Sequence, residues 1–101
     1  MNLRLEEIEK LRMDMIKVTK EILELAAKRC RIAGKIGELK RKIGLRIVDK
    51  EVEKRLIEEC LMRCDDLGLR REFCEKLLKL LIDEAVRVQE ARMDEVDSRR
   101  L

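Results

Sequence analysis

An apolar seven-residue repeat runs without a break from Ile8 to Ile43. Its two series of positions are Ile8, Met15, Ile22, Arg29, Ile36 and Ile43, and Leu11, Val18, Leu25, Ile32 and Leu39. Such a repeat places both series along one stripe of a helix. We therefore predict a single long helix from about Leu3 to Lys42, which breaks at Gly44.

Two glycines, Gly34 and Gly37, lie inside this predicted helix. Each destabilises a helix by about 1 kcal/mol relative to alanine. We expect them to permit the close approach of another backbone or of a ligand, rather than to end the helix.

The composition also favours helices over strands. The chain has no Pro, Trp or Tyr and one Phe, and it is dominated by Leu, Ile, Glu, Lys and Arg. Its length of 101 residues suits one domain, 1–101, large enough for a core. We predict an all-α fold with three helices per chain.

Two shorter helices are predicted after the long one. Asp49 is a good N-cap for a second helix from about Lys50 to Cys64, and a third runs from about Arg70 to Met93. The residues expected to end the second helix are Asp65, Asp66 and Gly68. Those expected on the buried side of the third are Phe73, Leu77, Leu78, Leu81, Ile82, Ala85 and Val88. The tail DEVDSRRL is expected to fray.

Charged residues make up 47% of the chain, but 25 Lys and Arg against 22 Asp and Glu leave a net charge of only +3. Because the signs are interleaved, we expect ion pairs on the helix surfaces and no nucleic-acid partner. The scarcity of Asn and Gln is typical of heat-adapted proteins.

The N-terminal MNLRLEEIEK has no apolar run of signal-peptide or membrane-spanning length, so we expect a soluble, cytoplasmic protein with no membrane partner.

The cysteines are Cys30, Cys60, Cys64 and Cys74, and the chain has no His. In a cytoplasmic protein they are expected to stay reduced, and a buried Cys packs as a small apolar residue. Cys60 and Cys64 could present two thiolates on one helical face, but their spacing resembles no common zinc motif. We expect packing rather than metal binding.

The predicted first helix is too long for one small domain to cover. About 40 residues at about 1.5 Å each span about 60 Å. The other two helices, laid end to end, would line one side of it and leave apolar positions in water. We therefore expect an intertwined homodimer of three-helix protomers. The alternatives are a three-helix monomer and an extended coiled coil.

Three cations interrupt the pattern of the first helix. Arg29 lies in a series otherwise filled by Ile and Met, where a charge is costly unless an anion meets it. Arg12 and Lys40 lie on the flanking track, whose other members are small: Thr19, Ala26 and Ala33. Space beside cations suggests a pocket for an anionic ligand. Alternatively, Arg12 and Lys40 extend from the edge of the bundle and Arg29 pairs with a glutamate.

Gln89 is the only glutamine in the chain. It shares a helical face with Ala85, Ile82 and Leu78, so its amide is expected to point into the bundle. A buried amide needs a partner, which is either a neighbouring helix or a ligand.

Arg12 and Arg29 are about 25 Å apart along one helix, so they cannot hold one small molecule from the same chain. In an antiparallel dimer, Arg12 of one protomer could reach the site formed by Arg29, Lys40 and Gln89 of the other. Two guanidinium groups suit a ligand with two carboxylates.

Together these residues resemble the all-helical AroQ class of chorismate mutases. The resemblance extends over nearly the whole chain, in LRMDMIKVTKEILELAAKRCRIAGKIGELKRKIGLRIVDKEVEKRL and, after a second helix, LLIDEAVRVQEA. At that family's active-site positions stand Arg12, Arg29, Lys40, Asp49, Glu53 and Gln89, with Ala85 where some members carry a serine near a carboxylate. The resemblance implies one chorismate mutase-like domain, in an entwined homodimer with two sites shared between subunits.

The activity that the resemblance implies is the Claisen rearrangement of chorismate to prephenate, on the route to phenylalanine and tyrosine. No cofactor, metal or nucleophile is required. Arg29 and the partner's Arg12 would hold the two carboxylates and fold the substrate into its reactive conformer. Lys40 and Gln89 would donate hydrogen bonds to the ether oxygen, where negative charge builds.

At the ring end of the substrate, the resemblance implies that Glu53 accepts a hydrogen bond from the hydroxyl and that Asp49 helps to position it. This sequence departs from the family pattern at Val52, because an arginine usually stands directly before the glutamate. Lys50 or Lys54 could compensate, although neither shares a helical face with Val52.

Two other functions fit the sequence. One is an isochorismate-pyruvate lyase, a kind of enzyme that the same fold also resembles. Product analysis would distinguish it from a mutase, because the lyase yields salicylate and pyruvate instead of prephenate. A non-catalytic helical adaptor predicts that Arg29→Ala and Gln89→Leu are tolerated and that no small molecule binds.

Overall fold

The computed structural model describes the backbone of residues 2–100 and the side chains in that range except at positions 96, 98 and 100. Over these residues the chain forms three helices, α1 (Leu3–Ile43), α2 (Lys50–Asp66) and α3 (Arg71–Arg100). The predicted all-α fold with a very long first helix is confirmed. α3 packs on both other helices, whereas no Cα atom of α1 comes within 8 Å of α2 among the described residues.

Capping groups set the ends of α1 where the sequence predicts them. The side chain of Asn2 accepts a hydrogen bond from the backbone N–H of Arg4 at 3.0 Å, which caps the first turn. Gly44 has a φ of 76°, and its N–H donates to the carbonyl of Lys40. Glycine takes this left-handed conformation without a steric penalty. The helix is therefore a continuous 41 residues.

The start of α2 is as predicted, but its end is not. Asp49 Oδ1 accepts two backbone N–H groups of the first turn, at 3.1 and 3.3 Å. Asp65 and Asp66 lie inside the helix rather than ending it. The chain turns at Gly68, whose φ of 71° ends the helical conformation.

α3 continues through the tail DEVDSRRL, so the expectation that this tail frays is wrong for its described residues; Leu101 lies outside them. Two contacts join this end of α3 to α1. Arg92 Nε donates to Glu38 Oε1 at 2.5 Å, and Arg41 Nε donates to Asp97 Oδ1 at 2.6 Å. Tertiary contacts of this kind keep a terminal turn helical.

α1 packs on α3 through its smallest residues. The buried residues of α1 are Ala33, Gly34 and Gly37. By contrast, every apolar member of the seven-residue repeat is exposed in the protomer. The two backbones approach each other on the small-residue face, and the large apolar side chains point away from α3.

The buried side of α3 is only partly as predicted. Leu78 is buried, and the half-buried residues are Leu81, Ile82, Ala85 and Val88. Phe73 and Leu77 are exposed by 46% and 37%, so the protomer by itself does not bury them as predicted. Both lie in the first turns of α3, beside the end of α2 and before the part of α3 that α1 contacts.

Cys64 and Cys74 are joined in a disulfide, which corrects the expectation that all cysteines stay reduced. The turn between α2 and α3 brings their Cα atoms to 6.5 Å, although they are 10 positions apart in sequence. Cys74 is fully buried, whereas Cys30 and Cys60 are half-buried free thiols. Cys64 therefore pairs across the turn and not with Cys60.

The protomer is long and thin, with extents of 67 × 30 × 14 Å and a radius of gyration of 18.7 Å. A compact domain of about 100 residues has a radius of gyration of about 13 Å. Its buried apolar side chains are few, namely Ala33, Cys74 and Leu78 among the described residues. One protomer thus buries much less core than its length suggests.

None of the described helices combines the length and the apolar character that crossing a membrane requires.

Candidate functional site

Lys40 links three parts of the chain near the end of α1. Its ammonium Nζ donates to Gln89 Oε1 on α3 at 3.0 Å and to the carbonyl of Ile47, in the loop before α2, at 2.6 Å. The Lys40 side chain therefore points into the protomer, and the alternative in which it extends from the edge of the bundle is wrong. Gln89 is only 7% exposed, which confirms that its amide points into the bundle.

The contact with Lys40 fixes the orientation of the Gln89 amide. Because Oε1 accepts from the ammonium, Nε2 is the end that faces away from Lys40. No described group accepts a hydrogen bond from Nε2, and this atom is not sealed from solvent. The two N–H donors of the amide are thus left without an acceptor among the described residues.

Arg29, one of the half-buried residues of α1, contacts α3 through a backbone group. Its Nη1 donates to the carbonyl of Leu81 at 2.6 Å. Within the protomer, Arg29 therefore contacts a carbonyl and not a glutamate. Leu81, Ala85 and Gln89 follow one another at four-residue steps on one face of α3. Arg29 and the Lys40–Gln89 pair thus lie along the same α1–α3 seam.

Neither Arg29 nor Lys40 forms an ion pair with any described carboxylate. Carbonyl and amide oxygens satisfy hydrogen bonds but do not cancel the positive charge. On the solvent side of α3, by contrast, Arg87 donates two hydrogen bonds to Glu84. These bonds lower the pKa of the Glu84 carboxyl and raise the pKa of Arg87. The two cations of the seam are therefore left without a neutralising carboxylate among the described residues.

Glu53 lines a groove of about 640 Å³ between α2 and α3. Its side chain is 25% exposed, and its Oε2 lies 3.7 Å from Lys50 Nζ. Lys50 also lines this groove, whereas Val52 is 61% exposed and does not. The cation beside Glu53 is therefore Lys50, one helical turn before it.

The remaining candidate residues lie at different distances from this seam. Asp49 caps α2, two positions after Ile47 and close in sequence to the Lys40 contact. Ala85 is half-buried on α3, between the residues that meet Arg29 and Lys40. Arg12 is separate: its side chain is 71% exposed and pairs with Glu9 at 3.4 Å. The protomer does not bring it to the other residues.

Comparison with known proteins gives the family. The model of the family "Chorismate mutase type II" matches residues 11–90, a range that contains every candidate residue. The chain belongs to the chorismate mutase type II family. It is also similar to the chorismate mutase of Methanocaldococcus jannaschii, with 23% identity over 95 residues, which are 94% of this chain and 96% of that protein. The chain is accordingly an enzyme, an isomerase whose substrate is chorismate, and the lyase and the adaptor are not favoured.

Sequence reasoning missed the backbone groups of the site. The carbonyls of Ile47 and Leu81 hold Lys40 and Arg29, and no side-chain pattern signals such contacts. Lys50 could have been found, because residues three apart on a helix share a face and Lys50 stands three before Glu53. The repeat indicated that Arg29 lies among buried positions, but it did not indicate that its hydrogen-bond acceptor is the carbonyl of Leu81.

Proposed function

We propose that the enzyme rearranges chorismate to prephenate and that Lys40 and Gln89 are its catalytic hydrogen-bond donors. The observation that carries this proposal is the 3.0 Å contact between Lys40 Nζ and Gln89 Oε1. It turns the amide N–H groups outward, and Lys40 keeps the third of its three N–H donors beyond its two described acceptors. Each residue thus keeps a donor for a ligand, and we assign both donors to the same ligand oxygen.

The chemistry needs such donors at one atom. As the C–O bond of chorismate breaks, negative charge builds on the ether oxygen, and prepositioned donors stabilise that charge most in the transition state. Removing one donor of this kind typically costs on the order of 10²–10³ in rate. The Gln89 amide suits the role because it does not titrate. The reaction needs no cofactor and no metal ion.

Orientation supplies the second part of the rate. Chorismate carries two carboxylates and must fold before its ends can react, and fixing that geometry removes much of the entropic barrier. Arg29 donates one N–H to Leu81 and has further donors for a substrate carboxylate. The second carboxylate would be held by Arg12 of the partner subunit.

This assignment requires a homodimer with shared sites. Support comes from the repeat, whose apolar members are all exposed in the protomer, and from the 71% exposure of Arg12. Packing the stripes of two antiparallel chains would bury these residues. It would also carry Arg12 of one chain about 25 Å along the helix pair toward Arg29 of the other.

The ring end of the substrate would meet residues of α2. Glu53 would accept a hydrogen bond from the ring hydroxyl, and Asp49 would position this end while capping α2. Lys50, 3.7 Å from Glu53, would supply the positive charge that Val52 lacks. Ala85 would line the substrate between Arg29 and Gln89.

The whole chain, 1–101, would then act as a single chorismate mutase domain in the cytoplasm, without nucleic-acid or membrane partners. The balanced charge of +3 and the interleaved ion pairs on its surface support the absence of a nucleic-acid partner.

The experiment is chorismate consumption followed by ultraviolet absorbance, with identification of the product. Wild type is compared with Arg29→Ala and Gln89→Leu at matched dimer content, and Glu84→Gln, on the solvent side of α3, is the control. Prephenate formed by wild type and the control, but reduced at least about 100-fold in both site variants, is the expected result. Salicylate and pyruvate would instead identify a lyase. Full activity of Gln89→Leu would contradict the role of the amide.

A further inference from the structure

The two backbones of the α1–α3 seam come closest at Gly37. A Cβ atom placed on Gly37 would lie 2.9 Å from Gln89 Cα, 3.1 Å from Gln89 O and 3.2 Å from Gln89 Cβ. Two of these three atoms belong to the backbone, so no rotation of a side chain could relieve the overlap. Position 37 therefore accepts a residue other than glycine only if the helices separate.

The residue that Gly37 contacts is the one that Lys40 holds. Gly37 and Lys40 are three positions apart on α1 and share a face. An ordinary contact begins at about 3.4 Å, so a Cβ at position 37 would push Gln89 away by about 0.5 Å. The bond from Lys40 Nζ to Gln89 Oε1, now 3.0 Å, would then approach about 3.5 Å, where hydrogen bonds become weak.

We propose that Gly37 is a positioning residue for the rearrangement. Its missing side chain lets α3 come close enough for Lys40 to hold Gln89 Oε1 and so to aim the amide donors at the substrate. The inference rests on the proposed function of Lys40 and Gln89. It explains why a glycine, which weakens a helix interior, occupies this position.

The chain offers a matched control three residues earlier. Gly34 is buried on the same helix and also faces α3, but a Cβ there would meet only Val88 Cγ1, at 3.8 Å. That is ordinary contact with the end of a side chain. Gly34→Ala should therefore leave the helix spacing unchanged and raise the thermal stability slightly, because alanine favours helix.

The first measurement reports the position of Gln89 without any need for activity. Gln89 and Asn2 are the only side-chain amides in the chain, so a ¹⁵N-edited NMR spectrum of the ¹⁵N-labelled dimer contains two side-chain NH₂ pairs. Loss of one pair in Gln89→Leu assigns it. Gly37→Ala is expected to shift the Gln89 pair, and Gly34→Ala is expected to leave it in place. An unshifted pair in Gly37→Ala would overturn the proposal.

The second measurement is a double-mutant cycle on turnover. Gly37→Ala is expected to lower kcat about 10- to 100-fold with a smaller change in KM, since a misplacement of about 1 Å can cost about 100-fold. In the Gln89→Leu background the same substitution should cost less than about threefold, because the group it misplaces is already absent. An equal loss in both backgrounds would assign Gly37 a general packing role and overturn the proposal.

The design separates the possible failures. If wild type does not turn over chorismate, the proposed function fails, and the NMR comparison still decides whether Gly37 positions Gln89. If Gly37→Ala does not fold, it is repeated in the stabilised Gly34→Ala background. Failure to fold there as well would overturn the proposal, because Gly37 would then serve the folding of the helix pair as a whole.

Discussion

From residue 26 to 43, α1 packs on α3 through small side chains and polar contacts, whereas every residue of α1 from 3 to 25 is exposed. The packed half buries Ala33, Gly34 and Gly37 and carries Arg29 and Lys40. The bare half carries most of the long apolar side chains of the helix. Within the protomer, α1 thus packs on another helix only along residues 26–43, and residues 3–25 are left for a partner.

The difference between the halves indicates where the stabilising free energy lies. Fully burying a Leu, Ile, Val or Met side chain stabilises by about 1.5–3 kcal/mol. The exposed residues of the bare half are Leu3, Leu5, Ile8, Leu11, Met13, Met15, Ile16, Val18, Ile22, Leu23 and Leu25. A second chain that covered even half of them would gain more than the sparse core of the protomer supplies.

The largest effect is expected from charges placed in the bare half. The double variant Val18→Lys with Leu25→Lys puts two cations in the apolar stripe, where burying an unpaired charge is costly. We expect monomers by analytical ultracentrifugation at micromolar concentration and turnover lower by on the order of 100-fold, because the partner's Arg12 is lost. Glu24→Lys, off the repeat, is the control and should stay dimeric. An active dimer of the double variant would contradict the dimer interface.

The second effect concerns α2, which contacts only α3 and has no buried residue among those described. The disulfide between Cys64 and Cys74 closes a loop over 10 positions, and such a loop stabilises by about 2–3 kcal/mol. Reduction is therefore expected to lower Tm by about 10 °C, measured by circular dichroism with and without dithiothreitol.

Two checks accompany this measurement. The variant Cys30→Ser with Cys60→Ser, which removes the free thiols, should keep the full response to reductant. Titration of the denatured, unreduced wild-type chain should find two thiols, those of Cys30 and Cys60. Titration of all four cysteines would show that the disulfide is absent.

A smaller effect is expected where α3 is held on the packed half of α1. Arg92→Ala removes the ion pair with Glu38. The Arg92 side chain is 41% exposed and the Glu38 side chain is 28% exposed. After discounting for solvent screening, we expect a loss of about 1 kcal/mol. Hydrogen exchange followed by mass spectrometry should show faster exchange in the last turns of α3 and unchanged exchange in α2. Unchanged exchange at the end of α3 would mean that this contact does not hold the helix.

The smallest effect is expected for Glu84→Gln, on the solvent side of α3. Hydrogen bonds from Arg87 lower the pKa of Glu84 in the folded state. The pair's contribution is therefore present above the unfolded pKa of Glu84 and is lost as pH falls through the folded pKa. Wild type should have the slightly higher Tm at neutral pH, and the two melting curves should coincide in acid. A gap that persists in acid would contradict this origin.

Much of the fold could be predicted from sequence because its signals are local. The seven-residue repeat gives the long α1, Asp49 gives the start of α2, and Gly44 gives the end of α1. The end of α3 could not be predicted, because it depends on Arg92 and Asp97 of α3 meeting Glu38 and Arg41 of α1. Such tertiary contacts have no local signature.

Part of the candidate site could also be predicted from local signals in the sequence. Gln89 and Arg29 break an apolar pattern, so their types and positions single them out. Their contacts could not be predicted: a carbonyl holds Arg29, and the backbone of Gln89 lies close against Gly37. The disulfide was hidden because cysteine spacing alone does not identify pairs, and Cys64 meets Cys74 only after the turn forms.

The central claim is that the bare half of α1 completes the site of the partner subunit. Arg12→Ala and Arg29→Ala chains, each inactive as homodimers, are co-expressed with different affinity tags, and the mixed dimer is purified through both. If sites are shared, one site of the mixed dimer has both arginines and the other has neither. The expected kcat per dimer is then about half that of wild type. A mixed dimer as inactive as its parents would show that each site takes both arginines from one chain, which contradicts the claim.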